Sequence, residues 1–499
     1  MRSTLPFVHL NETVKPQGYD LKTLNAYFYM SLCATAFTVH ASDAHTVISK
    51  LKHHYAFAQN LDKLAISYTS QSETRFQSND FRTPFTIHSR YDMQLDTTKQ
   101  QFFFHDQHVF PGNYIFDEKI VHQQGETILY DVNGFTKGKQ LRFIEYSLQD
   151  LKEDMSIEID FLAAYAFLHD GTEKTAQFNH ANNWVELTQR DDEEEQITYR
   201  FTLNPINLSS ISYKNSASST VFSTPQHSHN FTYASAVQHF NNTTLQETVH
   251  VTRVAPITHI PPELLEVPQG YGPFIDDQEK NLQWVQIAPK IYLINYVAGN
   301  RHVLVQENPE GLTVFGAPSS RDVSEQVIAL IQKKLPQKPI SQVYITHGHS
   351  DHMGGLAAYG ERGITLVVDS HSIAAIKAYQ KFSQYAANWR FKTLTHGQTL
   401  NGVKYYLPEN SHAHGQSFAY FIDSQIIYQG DFLEIPFDNT LPTHMADVEK
   451  EFIEFLKSEK IVYNRIVAHH RNNNISPEVV DAYYQAHHGK VTKNKSITR

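Results

Sequence analysis

Residues 345–355 read Ile-Thr-His-Gly-His-Ser-Asp-His-Met-Gly-Gly, and they decide how the rest of the chain is interpreted. The apolar residues 343–345 lead into this stretch as a buried strand would, and the two glycines open a helical pattern. His347 and His349 lie two apart on an extended segment, so their side chains point to the same side and can share one metal ion. Asp351 and His352 lie past the bend and point toward a second position. This segment therefore predicts the beginning of two metal sites.

The motif resembles the His-x-His-x-Asp-His signature of the metallo-β-lactamase superfamily. The resemblance implies a domain built as a four-layer αβ/βα sandwich, which carries one or two metal ions, usually zinc, at one edge. We expect this domain over residues 276–488, and the resemblance itself covers about residues 282–475. Strand and helix patterns alternate from the strand before His347 onward, which favours a layered α/β domain independently of the motif.

Further ligands of such a site follow downstream in the order that the resemblance implies. His412 lies three residues before Gly415 and takes the place of the third histidine of the first metal site, with His414 as the alternative. Residues 426–431 end a predicted strand on Asp431, which corresponds to the carboxylate that bridges both metals. The resemblance thus gives the first metal three histidines and gives both metals one shared carboxylate.

The last ligand falls in residues 465–470, which read Arg-Ile-Val-Ala-His-His and end a predicted strand. In the resemblance His470 corresponds to the final ligand of the second metal. His469 is the alternative, because strand alternation alone does not choose between the two and because Arg471 stands where the family usually has glycine. The ligand set that the resemblance implies is His347, His349, Asp351, His352, His412, Asp431 and His470.

This ligand set suits a pair of zinc ions. Two such ions roughly 3.5–4 Å apart can hold a hydroxide between them, lower the pKa of bound water toward about 7 and polarise the bond under attack. The sequence therefore predicts a binuclear zinc hydrolase that uses a metal-bridged hydroxide, which Asp351 helps to orient. The expected substrate is a small molecule with an ester, lactone, thioester or related bond.

Three other functions are compatible with the same residues. They are a β-lactamase of this fold, a phosphodiesterase of this fold, and a non-enzymatic metal-containing binding protein. Asp431 weighs against the first, because lactamases of this fold generally lack an aspartate at the bridging position. The complete ligand set weighs against the last, because a structural zinc site closes with four protein ligands.

The region before the motif has a different pattern in this chain of 499 residues, which is longer than one ordinary domain. Apolar and polar residues alternate over residues 64–145 and 184–254, while residues 44–61 and 148–168 have helical spacing. We therefore expect a mostly antiparallel β domain with two helices over residues 42–253. It loosely resembles the β-rich accessory domain that precedes this module in some exported bacterial members.

Two segments flank the predicted domains. Residues 254–275 carry five prolines and two glycines, which predicts a linker. Residues 1–41 form an N-terminal extension whose uncharged part ends on Ala41 before Ser42, which resembles a secretory cleavage site. This predicts a signal peptide and a periplasmic or secreted protein; the alternative is a buried helix of a cytoplasmic protein.

The apolar run of the N-terminal extension is shorter and more polar than a membrane-spanning helix of about 20 apolar residues, so we expect no stable membrane insertion. The single cysteine, Cys33, lies inside this run and carries no information about disulfides. The basic residues 489–499 are expected to form a solvated tail.

The charge distribution bears on the partner of the protein. The formal charge of −10 comes without an evident basic face, which weighs against nucleic acid. Residues 385–395 and 432–444 follow metal-bearing elements and are the predicted pocket walls. Arg390 or Lys392 in the first of them is the candidate partner for an anionic substrate group. The His-Ser-His at 227–229 is predicted to be a solvated loop, because no carboxylate or third histidine lies nearby in sequence.

Overall fold

The computed structural model describes residues 41–179, 181–191, 194–229, 231–272 and 281–488. The predicted signal segment lies outside the described residues except for Ala41, and the predicted basic tail at 489–499 lies outside them entirely. Within the described ranges, no helix is both long and apolar enough to cross a membrane.

The first half of the described chain folds into one 13-stranded antiparallel sheet. Strand β1 pairs with both β2 and β13, so the two ends of this part of the chain meet inside the sheet. The strand order is β6-β5-β4-β3-β2-β1-β13-β12-β11-β10-β9-β8-β7. The strands are β1 (Lys63–Thr74), β2 (Phe85–Asp96), β3 (Gln101–Phe110), β4 (Tyr114–Gln123), β5 (Glu126–Asp131), β6 (Arg142–Phe143), β7 (Thr175–Asn179), β8 (Trp184–Arg190), β9 (Gln196–Leu203), β10 (Ile206–Tyr213), β11 (Ser218–Ser228), β12 (Phe231–Asn241) and β13 (Thr244–Pro256).

Three helices of the described residues pack on this sheet: α1 (Ala41–Tyr55), α2 (Leu148–Glu158) and α3 (Asp160–His169). The expectation of one helix over residues 148–168 is wrong, because Ile159 has an extended backbone and separates two helices. Ile159 is fully buried, and the neighbouring Asp160 accepts a hydrogen bond from the Ala234 backbone at 3.0 Å. The break thus fixes the helix pair to strand β12. The helix predicted at 44–61 ends as a 3₁₀ turn over Ala56–Asn60.

The predicted linker begins later than expected. Residues 254–256 belong to β13 and pair with β1, and the short helix α4 (Pro262–Leu265) follows. Ile260 and Leu265 are buried in a small apolar cluster with Phe103 and Val121 of the sheet. These apolar side chains pack against the sheet and are removed from water. Residues 257–265 are therefore part of the folded structure and do not form a free connection.

The second half of the described chain forms a seven-stranded and a five-stranded sheet. In both, the strands lie in sequence order, from β14 to β20 and from β21 to β25. The elements are β14 (Gln283–Ala288), β15 (Ile291–Val297), β16 (Arg301–Asn308), β17 (Gly311–Phe315), α5 (Arg321–Lys334), β18 (Ile340–Tyr344), α6 (Ser350–Met353), α7 (Ala357–Gly360), β19 (Thr365–Val368), α8 (Ser370–Ala378), β20 (Phe391–Thr393), β21 (Thr399–Leu400), β22 (Val403–Tyr406), β23 (Phe418–Phe421), β24 (Ile426–Gln429), α9 (Asp447–Ser458), β25 (Arg465–Ala468) and α10 (Pro477–His488).

These two sheets face each other across an aromatic core. The ring of Phe315 lies 4.9 Å from that of Phe421, and the ring of Tyr344 lies 5.1 Å from that of Tyr405. Helices α5 and α8 contribute to a second core with the seven-stranded sheet, and α9 and α10 to a third core with the five-stranded sheet. Apolar residues on both sides of β17 explain why all five of its residues are buried.

Candidate metal centre

The predicted ligands lie where strands of the two facing sheets end. Strand β18 is parallel to its neighbours β17 and β19 and ends just before residues 345–352. Strands β24 and β25 are parallel, with Gln429 opposite Ala468, so Asp431 and the His469–His470 pair follow at the same edge. Carboxyl ends of parallel strands gather loop residues in one place, and here they gather histidines and aspartates.

The first group of candidate ligands contains His347, His349, His412 and Asp431, and their ligand atoms lie within 4.8 Å of one another. Among the described residues, Nε2 of His347, Nδ1 of His349 and Nε2 of His412 are buried and have no hydrogen-bond partner. Buried polar atoms are nearly always satisfied, and three imidazole nitrogens with a carboxylate are a donor set that zinc satisfies. The residues present therefore fit a metal ion.

The other ring nitrogen of each of these histidines is held by a neighbour. His347 Nδ1 lies 3.0 Å from the Thr346 hydroxyl. His349 Nε2 donates to the carbonyl of Ser78 at 2.9 Å, and His412 Nδ1 donates to the carbonyl of Pro111 at 3.1 Å. A carbonyl only accepts, so these two bonds fix the tautomer in which the free nitrogen carries the lone pair for a metal.

The second group contains Asp351, His352, Asp431 and His470. His352 Nε2 lies 2.9 Å from Asp431 Oδ2, and His470 Nε2 lies 3.2 Å from Asp431 Oδ1 and 3.3 Å from Asp351 Oδ2. Asp431 is the one residue shared by both groups. Its carboxylate lies near histidines of both groups, with Oδ2 3.3 Å from His412 Nε2 and 2.9 Å from His352 Nε2.

The two alternative histidines lie in different surroundings. His414 is half exposed, with its ring 5.6 Å from that of His371, and it belongs to none of the candidate groups of the described residues. His469 is buried and joins a third group with His352 and His470, which has no carboxylate. Its Nδ1 lies 2.9 Å from the Tyr428 hydroxyl, while its Nε2 has no hydrogen-bond partner within the described part of the chain.

Burial and charge set the protonation of the ligands. Burial lowers the pKa of His347 far below its ordinary value and lowers that of His349 to about 3, so both are neutral, which is the form that binds metal. Burial opposes the charge of Asp351 and Asp431, but the neighbouring histidines outweigh it and hold the pKa of both carboxyls well below the usual range. Burial likewise opposes protonation of His470, but the facing Asp431 and Asp351 raise its pKa to about 9. A cation at this position would replace that proton.

Two polar side chains beside Asp351 were not predicted. Gln77, from the connection after β1, donates from Nε2 to Asp351 Oδ1 at 2.9 Å. Arg301, the first residue of β16, has Nη2 3.6 Å from Asp351 Oδ2, and its Nε has no hydrogen-bond partner among the described residues. Neither residue lies in a local motif. Arg301 is placed there by an antiparallel bridge to His470, a pairing of two distant segments that no local sequence pattern marks.

The other residues singled out from the sequence lie away from the two groups. Arg390 is exposed, and neither it nor Lys392 belongs to a candidate group of the described residues. Trp389, in the first predicted pocket wall, is buried in the core beside α5 and α8, so that segment mainly supports the fold. His227 and Ser228 are the last two residues of strand β11, so the prediction of a loop is wrong at both, although the side chain of His227 is exposed.

The second predicted wall divides into two parts. Phe432, Leu433 and Ile435 are buried in the core beneath α9. His444 is nearer the centre, since its Nε2 donates to the carbonyl of Asn113 at 2.9 Å, next to the residues that contact His412. This segment therefore borders the centre at one end only.

Comparison with known proteins gives a family match and several partial relatives. Residues 299–470 match the family model described as the metallo-beta-lactamase superfamily. A metallo-beta-lactamase type 2 of Bacillus sp. (strain 170) is 34% identical over 82 residues, which is 16% of this chain and 30% of that protein. A linear primary-alkylsulfatase of Pseudomonas sp is 32% identical over 72 residues, which is 14% of this chain and 10% of that protein.

Solved structures are similar over less than half of the chain. A crystal structure of a metallo beta lactamase from Hirschia baltica has a TM-score of 0.33 and 16% identity, and covers 42% of this chain and 98% of that one. The rubredoxin oxygen:oxidoreductase of Desulfovibrio gigas has a TM-score of 0.33 and 16% identity, and covers 41% of this chain and 62% of that one. The chain spans less than a third of the length of the two curated relatives.

Proposed function

Residues 299–470 belong to the metallo-β-lactamase superfamily, and from this premise we propose that the protein is a binuclear metal-dependent hydrolase of small molecules. One observation carries the proposal. The Asp431 carboxylate is shared between two groups of histidines and carboxylates, so that two ions would lie side by side. A single structural ion would need only four of these seven side chains.

The two ions are proposed to be zinc, because the donor set consists of imidazole nitrogens and carboxylate oxygens. When bound, such a pair activates water and polarises the bond under attack. His347, His349 and His412 would hold the first ion, and Asp351, His352 and His470 the second, with Asp431 reaching both. We also propose the four-layer αβ/βα arrangement for this part of the chain, in which the metal edge lies at the strand ends.

The chain's own residues supply orientation and charge beside the ions. Asp351 turns Oδ2 toward His470 and Arg301, and it is ionised, so it can accept and orient a proton of the attacking water. Arg301 is partly exposed at the same place, with 22% of its side chain accessible. It is the proposed partner for an anionic group of the substrate, in place of Arg390 or Lys392.

The bond classes that we propose are an ester, a lactone, a thioester or a sulfate ester. Asp431 in the bridging position supports esters, lactones and thioesters over β-lactams, and the alkylsulfatase relative adds sulfate esters. Arg301 would bind a substrate that carries a negative charge next to the scissile bond. A phosphodiesterase of this fold remains the second candidate, because a phosphodiester also carries that charge.

The test combines metal analysis with a substrate panel. The purified full chain should contain about two zinc ions per molecule, and it should hydrolyse at least one member of a panel of lactones, thioesters, phosphodiesters, sulfate esters and β-lactams. Removal of zinc by a chelator should abolish the activity and re-addition should restore it. Two bound metals without hydrolysis of any class would favour a binding protein, and efficient turnover of β-lactams would overturn the substrate assignment.

Export and domain layout form a separate proposal. We propose that residues 1–41 are removed on export to the periplasm or medium, that residues 42–253 form a β-rich accessory domain, and that residues 276–488 form the metal-binding domain. The uncharged stretch that ends at Ala41 supports export. Sequencing of the mature N-terminus should find a residue near Ser42; Met1 or Met30 there would contradict it.

A further inference from the structure

Two connections of the 13-stranded sheet reach the metal centre. The first follows β1, and we call residues 76–79 the first loop. The backbone carbonyl of Phe76 accepts from the Ser350 backbone at 2.9 Å, and that of Asn79 accepts from the His414 backbone at 2.8 Å. Between these two anchors, Gln77 and Ser78 contact Asp351 and His349. The first loop therefore connects residues 349–351 of the motif to the segment that follows His412.

The second loop, residues 111–114, consists of the connection after β3 and the first residue of β4. Its Pro111 carbonyl holds His412 Nδ1 at 3.1 Å, and the Tyr114 hydroxyl donates to the backbone carbonyl of Asp431 at 3.2 Å. Gly112 lies against the same histidine with φ +79, and a Cβ at this position would lie 3.1 Å from His412 Cβ and 2.9 Å from Val448 Cγ1. Only glycine fits both this backbone conformation and this close approach.

Four of the seven predicted ligands, His349, Asp351, His412 and Asp431, thus receive a hydrogen bond from or give one to these two loops. We propose that the 13-stranded sheet is part of the metal centre, and that its two loops hold the ligands in the orientation that metal binding requires. The inference rests on the metal-binding part of the proposed function. In this proposal the sheet contacts the metal ligands itself, whereas an accessory domain that acts at a distance would make no such contacts.

Gln77 is the positioning residue on which this role depends most. An amide NH₂ group has two hydrogens, and Gln77 Nε2 directs them to Asp351 Oδ1 and to the Ser350 hydroxyl, both at 2.9 Å. With Oδ1 occupied, the other oxygen of Asp351 faces the centre, where it lies 3.3 Å from His470 Nε2 and 3.5 Å from His352 Nε2. The terminal torsion of a carboxylate is soft, so an oxygen without this hydrogen bond would not stay in one place.

The effect should be selective for one of the two metals. Asp351 belongs to the second group and not to the first. Loss of the amide should therefore weaken the second metal, while the first metal keeps its three histidines with their own hydrogen bonds. Hydrogen-bonding partners of metal ligands typically change metal affinity by about 10–100-fold.

The experiment measures zinc affinity rather than turnover. Full-length wild type, Gln77→Met and Gln77→Glu are stripped of metal and titrated with zinc against a chromophoric chelator, and metal-free unfolding is followed in urea. Methionine keeps the length of the side chain and removes the donor; glutamate turns an acceptor toward Asp351 Oδ1. We expect the second zinc to bind about 10–100-fold more weakly in Gln77→Met and more weakly still in Gln77→Glu, with the first zinc within about threefold of wild type.

Gln71 provides the matched control, because it lies on β1 as an exposed glutamine. Gln71→Met and Gln71→Glu should bind both zinc ions as wild type does. If Gln77→Met does not fold, Gln77→Asn replaces it. Asparagine keeps the amide on a side chain that is shorter by one methylene, and the second zinc should again bind more weakly than in wild type. Equal affinities at both sites in folded Gln77 variants and wild type would overturn the proposal, as would a wild type that binds no zinc.

The outcome separates this inference from the proposed catalysis. A wild type that binds two zinc ions but hydrolyses nothing would contradict the hydrolase, while the affinity loss in the Gln77 variants would still support the positioning role. Conversely, if the enzyme is active but its zinc affinities do not change when Gln77 is substituted, the result would support the hydrolase and contradict the role of the first loop.

Discussion

Arg471, which follows His470, occupies a position where the resembling family usually has glycine. Its φ is +60°, the left-handed region that glycine adopts without strain. The guanidinium pairs with the buried Glu434, and this is the contact that glycine would lack. The backbone N–H donates to Asn300 O at 2.8 Å and the backbone carbonyl accepts from His302 Nε2 at 2.7 Å, and these two bonds hold the turn. The departure from the family pattern thus preserves the glycine-like turn after the ligand.

The substitution Arg471→Gly tests this account. Glycine would relieve the left-handed strain by about 1 kcal/mol. It would also leave Glu434, with 4% of its side chain exposed, without its cation, which costs about 3–5 kcal/mol for a buried pair. We expect a net loss of about 2–4 kcal/mol in the free energy of unfolding, measured in urea. Lys460→Gly is the control, since Lys460 has φ +52° and is exposed; that change should be neutral or slightly stabilising, and an equal loss in both variants would refute the role of Glu434.

We expect substitutions of His469 and His470 to have different effects. His470→Ala should remove a ligand that faces both carboxylates, lower occupancy of the second metal and reduce turnover by orders of magnitude. His469→Ala should have a milder effect of roughly 10–100-fold, because the group to which His469 belongs contains no carboxylate, whereas His470 faces both Asp351 and Asp431. Metal content and kcat of both variants provide the measurement. Equal metal content, or the larger loss in His469→Ala, would reverse the assignment.

At the scale of elements, helix α2 and strand β12 are joined by a charged pair. His239 Nε2 lies 3.0 Å from both carboxylate oxygens of Glu158. Burial alone would lower the pKa of His239, but the hydrogen bond and the charge of Glu158 outweigh it and raise the pKa above its ordinary value. Because the folded-state pKa is the higher one, the stabilisation is fully present below the unfolded-state pKa and is lost as pH rises through the folded-state pKa.

We therefore expect His239→Gln to lower the free energy of unfolding mainly at acidic pH. At about pH 6 the loss should be about 1.5–3 kcal/mol, the size of a hydrogen bond to a charged group, and it should shrink toward about pH 9. Urea unfolding of both proteins at the two pH values measures it. His250→Gln, on an exposed position of β13, should show no such difference between the two pH values. A loss in His239→Gln that is independent of pH would show that His239 acts only through packing.

Elements and ligands were predictable to different degrees. The strands of the first part of the sheet were predicted because apolar and polar residues alternate over residues 64–145, and strands β1 to β6 lie there. The break at Ile159 was missed, because an apolar residue between two helical patterns has no local sign of an extended backbone. The candidate ligands of the motif could be singled out because they are close in sequence. Ser78 and Pro111 act through backbone carbonyls, which any residue supplies, on histidines 271 and 301 residues away, so no residue type marks them.

At the scale of the molecule, metal removal should lower stability. Ions that bind the folded chain and not the unfolded chain stabilise it by mass action, by about 2.7 kcal/mol for each site at a free concentration 100 times its Kd. We expect a chelator to lower the unfolding midpoint of the zinc-loaded protein and added zinc to restore it, as followed by thermal or urea unfolding. Chelator already saturated with zinc is the control. An unchanged midpoint after complete metal removal would mean that the centre contributes nothing to the folded state.

The two loops that hold the ligands also have a consequence for the order of folding. Residues 76–79 and 111–114 precede His347 in the chain, and the strands that carry them belong to one continuous sheet. N-terminal domains generally fold first, so this sheet can be complete before the histidine motif folds. The motif then arrives at a surface that already presents its hydrogen-bond partners. The folding chain would therefore gain its capacity to bind metal last.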